Sequence, residues 1–326
     1  MTPNAETPYA GLSPDLILDA LEAAGFAPTG SLLELNSYEN RVYQLELEDG
    51  SFVVAKFYRP ERWSDAQIEE EHDFTEALRD AELPVVAPLR VAGTTLLEHG
   101  GFRYAVYPRQ GGHPPNLEVE EDVRVLARTL ARIHALGALR PFRHRPSLSL
   151  ERFGTESRRF LLDEGFVPPD VEQAYASVTD HLLARLDERL RGMPVSGRIH
   201  GDCHLGNLLW RGSTPHFVDF DDCMNGPPVQ DLWMLLSGSR DEQQAQLGLI
   251  LDAYEAFYEF DTATLQLVEP LRTLRIMHHA AWLARRWHDP AFPRAFPWFD
   301  SARYWSEHVL SLREQLAALD DPPLAV

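Results

Sequence analysis

The sequence predicts an α+β chain of two lobes, a small β-rich one over residues 1–107 and a larger helical one over residues 108–326. Three observations predict it. Short apolar or alternating runs separated by turn signals fill the first part of the chain. A Gly- and Pro-rich segment, residues 108–115, follows and reads as a linker. Beyond it, apolar residues recur with the 3.6-residue period of helices almost to the end.

Residues 13–24 form the first expected helix. Ser13 is its cap, Pro14 opens the first turn, Leu16, Ile17, Ala20 and Leu21 make the apolar stripe, and Gly25 ends it. Strands are expected over residues 31–35, 41–47 and 51–57, with Asp49-Gly50 as a hairpin turn between the last two. Residues 63–79 carry Ile68, Phe74 and Leu78 at helical spacing. Two more strands, 91–97 and 102–106, flank the turn His99-Gly100-Gly101. In the second lobe helices are expected over residues 120–136, 171–190, 230–237, 241–258, 265–287 and 301–319. Pro270 lies inside the fifth and predicts a late start or a kink there. Short strands over 198–202 and 216–219 bracket a loop. The arrangement is one way to build a nucleotide cleft between lobes.

Composition narrows the function classes. With 44% hydrophobic and 25% charged residues, the 326-residue chain is an ordinary globular one that can bury a real core. Two cysteines, Cys203 and Cys223, make no disulfide framework and fit a reducing cytosol, so a cytoplasmic location is expected. Residues 1–10 have neither a cationic start nor an apolar run, so no signal peptide is expected, and no stretch is long enough for a membrane span. A net charge of −20 repels a phosphate backbone, which argues against nucleic acid as a partner. The chain contains a single lysine, Lys56; every other Lys/Arg position is arginine. A chain this sparing of lysine has a reason to keep one where a compact ammonium is needed.

Lys56 is the one charged residue in the apolar run Val53-Val54-Ala55-Lys56-Phe57, on the same strand face as Val54. A buried ammonium needs a partner, and the next helix offers Glu69, Glu70 and Glu71. The segment His200-Gly201-Asp202-Cys203-His204-Leu205-Gly206-Asn207 places a carboxylate and a carboxamide five residues apart after a strand. Asp202 suits a hydrogen bond from an attacking hydroxyl, and the Asn207 carbonyl suits Mg²⁺. Phe217-Val218-Asp219-Phe220 then ends a short apolar strand on a second oxygen ligand. Singly these signals are weak; in this order along one chain they are strong. They are the parts of a kinase: a strand lysine, a helix glutamate, Asp-x-x-x-x-Asn, then a strand ending in Asp.

The His-Gly-Asp-x-His-x-x-Asn form resembles the aminoglycoside phosphotransferase and choline kinase-like superfamily, relatives of the protein kinases. A closer likeness, to the bacterial stress-response kinases, runs through residues 35–44, 56–63 and 229–236 and through Arg286-Trp287-His288-Asp289-Pro290-Ala291-Phe292-Pro293. The resemblance implies a protein-kinase-like fold and a cytoplasmic, monomeric serine/threonine kinase that also phosphorylates itself and acts in envelope or oxidative stress. It implies ATP as co-substrate, Mg²⁺ as cofactor and proteins bearing Ser or Thr as partners. It assigns Asp202 as catalytic base, with Asp219 catalytic as well. Asn207 and Asp219 become the Mg²⁺ ligands, and Glu71 becomes the partner of Lys56. Ser37 falls in the turn over the nucleotide phosphates, backbone near Tyr107 faces adenine, and Asp231 braces the catalytic loop. One departure from the protein kinases is clear: residues 36–40 contain no glycine, so the phosphate-covering turn approaches its ligand less closely.

Other readings stand beside this one. His200, Asp202 and His204 suggest zinc, although Gly201 and Gly206 oppose the helix such a site prefers. Residues 278–287, with His278, His279, Trp282, Arg285 and Arg286, read as an acceptor surface or as a core helix with arginines in water. Cys203 and Cys223 read as packing residues or as redox-sensitive ones. Asp221, Asp222 and the net charge also suit a kinase of amino alcohols or aminoglycosides, and a non-catalytic nucleotide-binding scaffold is the third possibility. Residues 221–229 contain no Ser, Thr or Tyr, which predicts a kinase without loop phosphorylation.

Overall fold

The computed structural model describes residues 7–194 and 197–326. The reading of the first six residues therefore lies outside the described part. Helix α1 (Pro14–Ala23) begins where expected: the Ser13 hydroxyl accepts the Leu16 N–H at 3.2 Å, and Ile17, Ala20 and Leu21 are buried. It packs against a five-stranded antiparallel sheet containing β1 (Pro28–Glu34), β2 (Arg41–Leu47) and β3 (Phe52–Phe57). The β2–β3 hairpin turns at Asp49-Gly50, where Gly50 takes φ +80° and the Asp49 carboxylate accepts the Ser51 N–H at 2.9 Å. Its register sets Val42 opposite Lys56.

Helix α2 (Asp65–Asp80) starts two residues later than its apolar pattern suggests, because Ser64 and Gln67 form a capping box that fixes the first turn. It buries Glu71 and His72 alongside Ile68, Phe74 and Leu78. The sheet ends with β4 (Leu97–His99) and β5 (Phe102–Pro108), in the order β1-β2-β3-β5-β4. The strand expected over 91–97 is mostly absent. Ala92 and Gly93 take φ of +49° and +90°, so Val91 and Thr94 close a tight turn and only Leu97 joins the sheet.

The second lobe is helical. Helix α3 (Glu120–Gly137) buries Val123, Leu126, Leu130 and Ile133. Helix α4 (Glu156–Asp163), preceded by a π turn and not expected from the sequence, leads to α5 (Pro169–Arg189). Four short strands then carry the central loop: β6 (Gly197–Ile199), β7 (Leu208–Arg211), β8 (Thr214–Phe217) and β9 (Met224–Gly226). β6 pairs with β9 and β7 with β8, all antiparallel. After them come α6 (Val229–Trp233), α7 (Arg240–Tyr254), α8 (Val268–Arg285), α9 (Ala291–Ala295) and α10 (Ala302–Ala318). Helix α8 does start late. Residues Thr262–Leu267 form a 3₁₀ turn, and Pro270 falls in the first α-helical turn, where its missing N–H costs no hydrogen bond.

Two close approaches aim the central loop. A Cβ on Gly137 would lie 2.1 Å from the Arg198 carbonyl oxygen, so glycine is what lets β6 run against the end of α3. Phe217 exchanges backbone hydrogen bonds with Pro84 and Val86, at 2.9 and 3.0 Å, which ties β8 to the segment leaving α2. Phe220, one residue past Asp219, meets Phe74 of α2 edge-on at 5.9 Å. The helix that carries Glu71 is thereby fixed relative to Asp219.

Candidate active site

Lys56 is the hub. It is buried, and its ammonium lies 3.1 Å from Asp219 Oδ1, 3.1 Å from Asp221 Oδ1 and 3.7 Å from Glu71 Oε1. Burial alone would lower its pKa, but the charges of Asp219, Asp221 and Glu71 raise it well above the ordinary lysine value. Of the three candidate glutamates only Glu71 reaches Lys56; Glu70 instead accepts the backbone N–H groups of Arg143, His144 and Arg145. Burial pushes the Glu71 carboxyl up to about 7, against the pull of Lys56 and with a further push from Asp221.

Asp221 and Asp222, to which the kinase pattern gives no part, complete the floor beside Asp219. Asp221 is buried, accepts from Asn40 Nδ2 at 3.1 Å and pairs with Arg62 as well as Lys56. Arg62 reaches Asp222 Oδ1 at 2.6 Å through its other terminal nitrogen. Arg145 bonds the backbone carbonyls of Asp221 and Cys223. Asp219 itself sits at φ +57°, ψ +64°, a left-handed conformation rare for a residue with a side chain. A run of three carboxylates in four residues was the available signal. Which of them faces Lys56 is decided by the 3₁₀ turn Phe220–Asp222, which the sequence does not announce.

Asp202 emerges from β6 beside this floor. Its Oδ1 accepts from Arg275 Nη1 at 2.5 Å, and its Oδ2 lies 3.3 Å from His204 Nε2 and 3.4 Å from Asn207 Nδ2. Burial would raise the Asp202 carboxyl, but the His204 hydrogen bond and the Arg275 charge hold it well below the usual carboxylate range. The loop backbone is braced from α6. The Asp231 carboxylate, fully buried, accepts the N–H groups of His200 and Gly201 at 2.8 Å each, and His134 Nε2 lies 2.9 Å from it.

The zinc reading fails on His200. It is buried, its Nε2 donates to the Val218 carbonyl at 3.0 Å, and its Nδ1 faces the Asp202 N–H at 3.4 Å. Among the described residues no group of three or more His, Cys, Asp or Glu could hold a metal ion. A Mg²⁺ bound by two protein oxygens and phosphates makes no such group, and the residues present fit that kind of site. Asn207 spends its amide nitrogen on the Asp202 carbonyl at 2.9 Å, which leaves its oxygen available, and the Asp219 side chain is half exposed.

Ser37 and Tyr107 stand apart from this cluster. Ser37 is half-buried in the β1–β2 turn, and the residue of that turn that reaches the floor is Asn40. The Tyr107 hydroxyl lies 3.0 Å from that of Tyr58, behind Lys56, and the neighbouring Val106 carbonyl accepts the Leu89 N–H at 2.7 Å. The turn is tied to the far lobe. Glu39 pairs with Arg59 at 3.0 Å and with Arg286, and it accepts from Trp282 Nε1 at 2.6 Å. Arg59 also reaches Asp289 at 2.6 Å. Arg285 instead lies over the Phe160 ring. Both cysteines are buried, and burial raises both thiols well above the ordinary value, which favours the packing reading.

Residues 31–268 match the profile described as the APH phosphotransferase enzyme family. The chain belongs to this family. As a member of the phosphotransferase enzyme family it is similar to stress response kinase A of Escherichia coli (strain K12), with 46% identity over 98% of each chain. It is equally similar to the serine/threonine protein kinase RdoA of Salmonella typhimurium (strain LT2), with 46% identity over 99% of this chain and 98% of that one. Solved phosphotransferases share its fold. The amicoumacin kinase hAmiN, in complex with AMP-PNP, Ca²⁺ and Ami, aligns with TM-score 0.74 at 20% identity over 95% of this chain and 94% of that one. A microcompartment-associated aminopropanol kinase aligns with TM-score 0.69 at 21% identity over 93% and 96%. Among the described residues no helix is long and apolar enough to cross a membrane.

Proposed function

We propose that the protein is an ATP- and Mg²⁺-dependent serine/threonine protein kinase of a bacterial stress response, cytoplasmic and monomeric, that also phosphorylates itself. The observation that carries this is the meeting of Lys56, Glu71 and Asp219 beside the Asp202–Asn207 loop, in a chain 46% identical to proteins named stress response kinase A and serine/threonine protein kinase RdoA. The hAmiN complex with AMP-PNP and Ca²⁺ supports a nucleotide and a divalent cation in this fold.

In this reading ATP lies between the lobes, with adenine against backbone near Tyr107 and the phosphates under the turn that carries Ser37. Lys56 exchanges its aspartate partners for phosphate oxygens while Glu71 keeps it in place. Asn207 and Asp219 would hold Mg²⁺, which when bound neutralises phosphate charge. Asp202 accepts a hydrogen bond from the acceptor hydroxyl. The acceptor oxygen bonds to the γ-phosphorus as the bond to the β–γ bridging oxygen breaks, and the hydroxyl proton passes to Asp202. A carboxylate held so far below the usual range is a weak base, so its part is first to orient the hydroxyl and only late to take the proton.

Transfer of label from γ-labelled ATP tests this, with wild type beside Asp202→Ala, a mixed Ser/Thr peptide library in one tube and amino alcohols plus aminoglycosides in another. Label on peptide and on the chain itself, both lost in Asp202→Ala, supports the reading. Label on a small molecule alone moves the assignment to a small-molecule kinase. ATP binding without transfer to any acceptor makes the protein a scaffold.

A further inference from the structure

The carboxylates of the cleft floor are all matched by cations. Asp219 has Lys56, Asp221 has Lys56 and Arg62, Asp222 has Arg62, Glu71 has Lys56, and Glu39 has Arg59 and Arg286. Asp202, which would orient an acceptor hydroxyl, has a partner on each oxygen, Arg275 on one and His204 on the other, with a further lone pair on each. Each of these carboxylates thus already has a cationic partner, although the Asp219 and Asp222 side chains stay about half exposed.

The cations are not all matched in return. Arg275 uses only Nη1, and among the described residues its Nε and Nη2 make no hydrogen bond; its side chain is 42% exposed. His279, one turn further along α8 on the same face, adds no charge: desolvation and the Arg275 charge hold its pKa below the ordinary histidine value, and its ring stacks on Trp282. Arg152 lies over the Trp63 ring at 5.7 Å, is exposed and forms no ion pair among the described residues. The net charge of −20 does not cancel this local surplus, because exposed charges beyond about 8 Å are screened at physiological salt.

We infer that Arg275 is a specificity-determining residue that selects acceptors carrying an anionic group, a carboxylate or phosphate, next to the hydroxyl to be phosphorylated. A guanidinium with one fork on Asp202 and a free edge is built to hold such a group bidentately. The hydroxyl is then left facing the Asp202 oxygen. The inference rests on the reading of Asp202 as the residue that meets the acceptor hydroxyl. On the protein-kinase reading, the favoured acceptor is a Ser or Thr flanked by acidic or phosphorylated residues.

Fluorescence anisotropy tests it without turnover. Two labelled peptides are compared, each with Ala in place of the acceptor Ser, one flanked by Asp and Glu and the other by Arg. The acidic peptide binds wild type at least about tenfold more tightly than the basic one. Arg275→Gln loses most of that preference by weakening the acidic peptide alone, and Arg275→Lys recovers part of it. Arg275 is substantially exposed, and matched thermal unfolding of the three proteins separates lost recognition from lost folding. Equal or tighter binding of the basic peptide overturns the inference, as does an Arg275→Gln variant with the wild-type preference. A separate label-transfer assay uses the Ser versions. An acidic peptide that binds through Arg275 yet takes no label leaves the inference standing and counts against the kinase reading instead.

Discussion

Gly201 and Asp222 touch through their backbones: a Cβ at position 201 would lie 2.3 Å from the Asp222 carbonyl oxygen, and Gly201 itself has φ +84°. The loop that presents Asp202 and the turn that presents Asp219 thus rest on one contact that only glycine allows. Gly201→Ala adds a left-handed penalty of about 1–2 kcal/mol to a clash with backbone that cannot yield. The expected result is a lower melting temperature and loss of phosphoryl transfer, read by calorimetry and by label transfer on the same sample.

Removal of Lys56 should expose how closely three carboxylates have been drawn together. Lys56→Met leaves Glu71, Asp219 and Asp221 without their shared cation, and breaking a buried pair this way costs about 3–5 kcal/mol. Adding Glu71→Gln should return part of that stability without restoring transfer. Urea unfolding of the two single variants and the double variant measures the coupling. If the double variant is as unstable as the sum of the singles, the two residues do not act as a pair.

Asp231→Asn tests the brace under the loop that carries Asp202 and Asn207. The acid accepts two backbone N–H groups at 2.8 Å in a fully buried place, and an amide nitrogen turned toward them cannot accept. A loss of about 1–3 kcal/mol is expected. Turnover should fall more than ATP affinity, because the loop is displaced while Lys56 is not. Steady-state kinetics and nucleotide titration separate the two.

Acid should destabilise the protein through neutral buried histidines. Burial holds His72 down to about 3, helped by the positive charges of Lys56 and Arg145, and holds His278 at about 3 and His308 at about 4. Between those values and about 6.5 the unfolded chain binds protons that the folded chain refuses. The histidine contribution is therefore full above about pH 6.5 and falls below it by about 1.4 kcal/mol per pH unit for each histidine, offset in part by Glu71, whose raised carboxyl takes up a proton in the folded chain over the same range. Urea midpoints between pH 7.5 and 5 measure the slope, and His72→Gln should make it shallower.

Much of this was legible in the sequence where the signal is local. The Ser13 cap, the Asp49-Gly50 turn and the order Lys56, Asp202, Asn207, Asp219 all depend on neighbours in the chain, and the structure sets Lys56 against Asp219 and Asn207 against Asp202. The partners of Asp202 and Asp221 were not legible. Arg275 and Arg62 come from distant segments, and in a chain whose basic residues are nearly all arginine no single one stands out. Strands β7 and β9 were missed because three or four residues carry too little periodicity to read. The expected strand over 91–97 failed on Ala92, whose left-handed backbone no propensity would suggest.

The single lysine has a practical meaning beyond the phosphate binding proposed for it. Apart from the α-amino group, the chain offers amine-directed reagents one primary amine, and it is buried at the centre of the cleft behind three acids. Apart from that terminus, acylating probes, amine cross-linkers and lysine-directed tagging find no exposed amine among the described residues. The protein therefore carries a built-in reporter: a second equivalent of acyl group on the chain means that the cleft has opened and its acids have let the amine go.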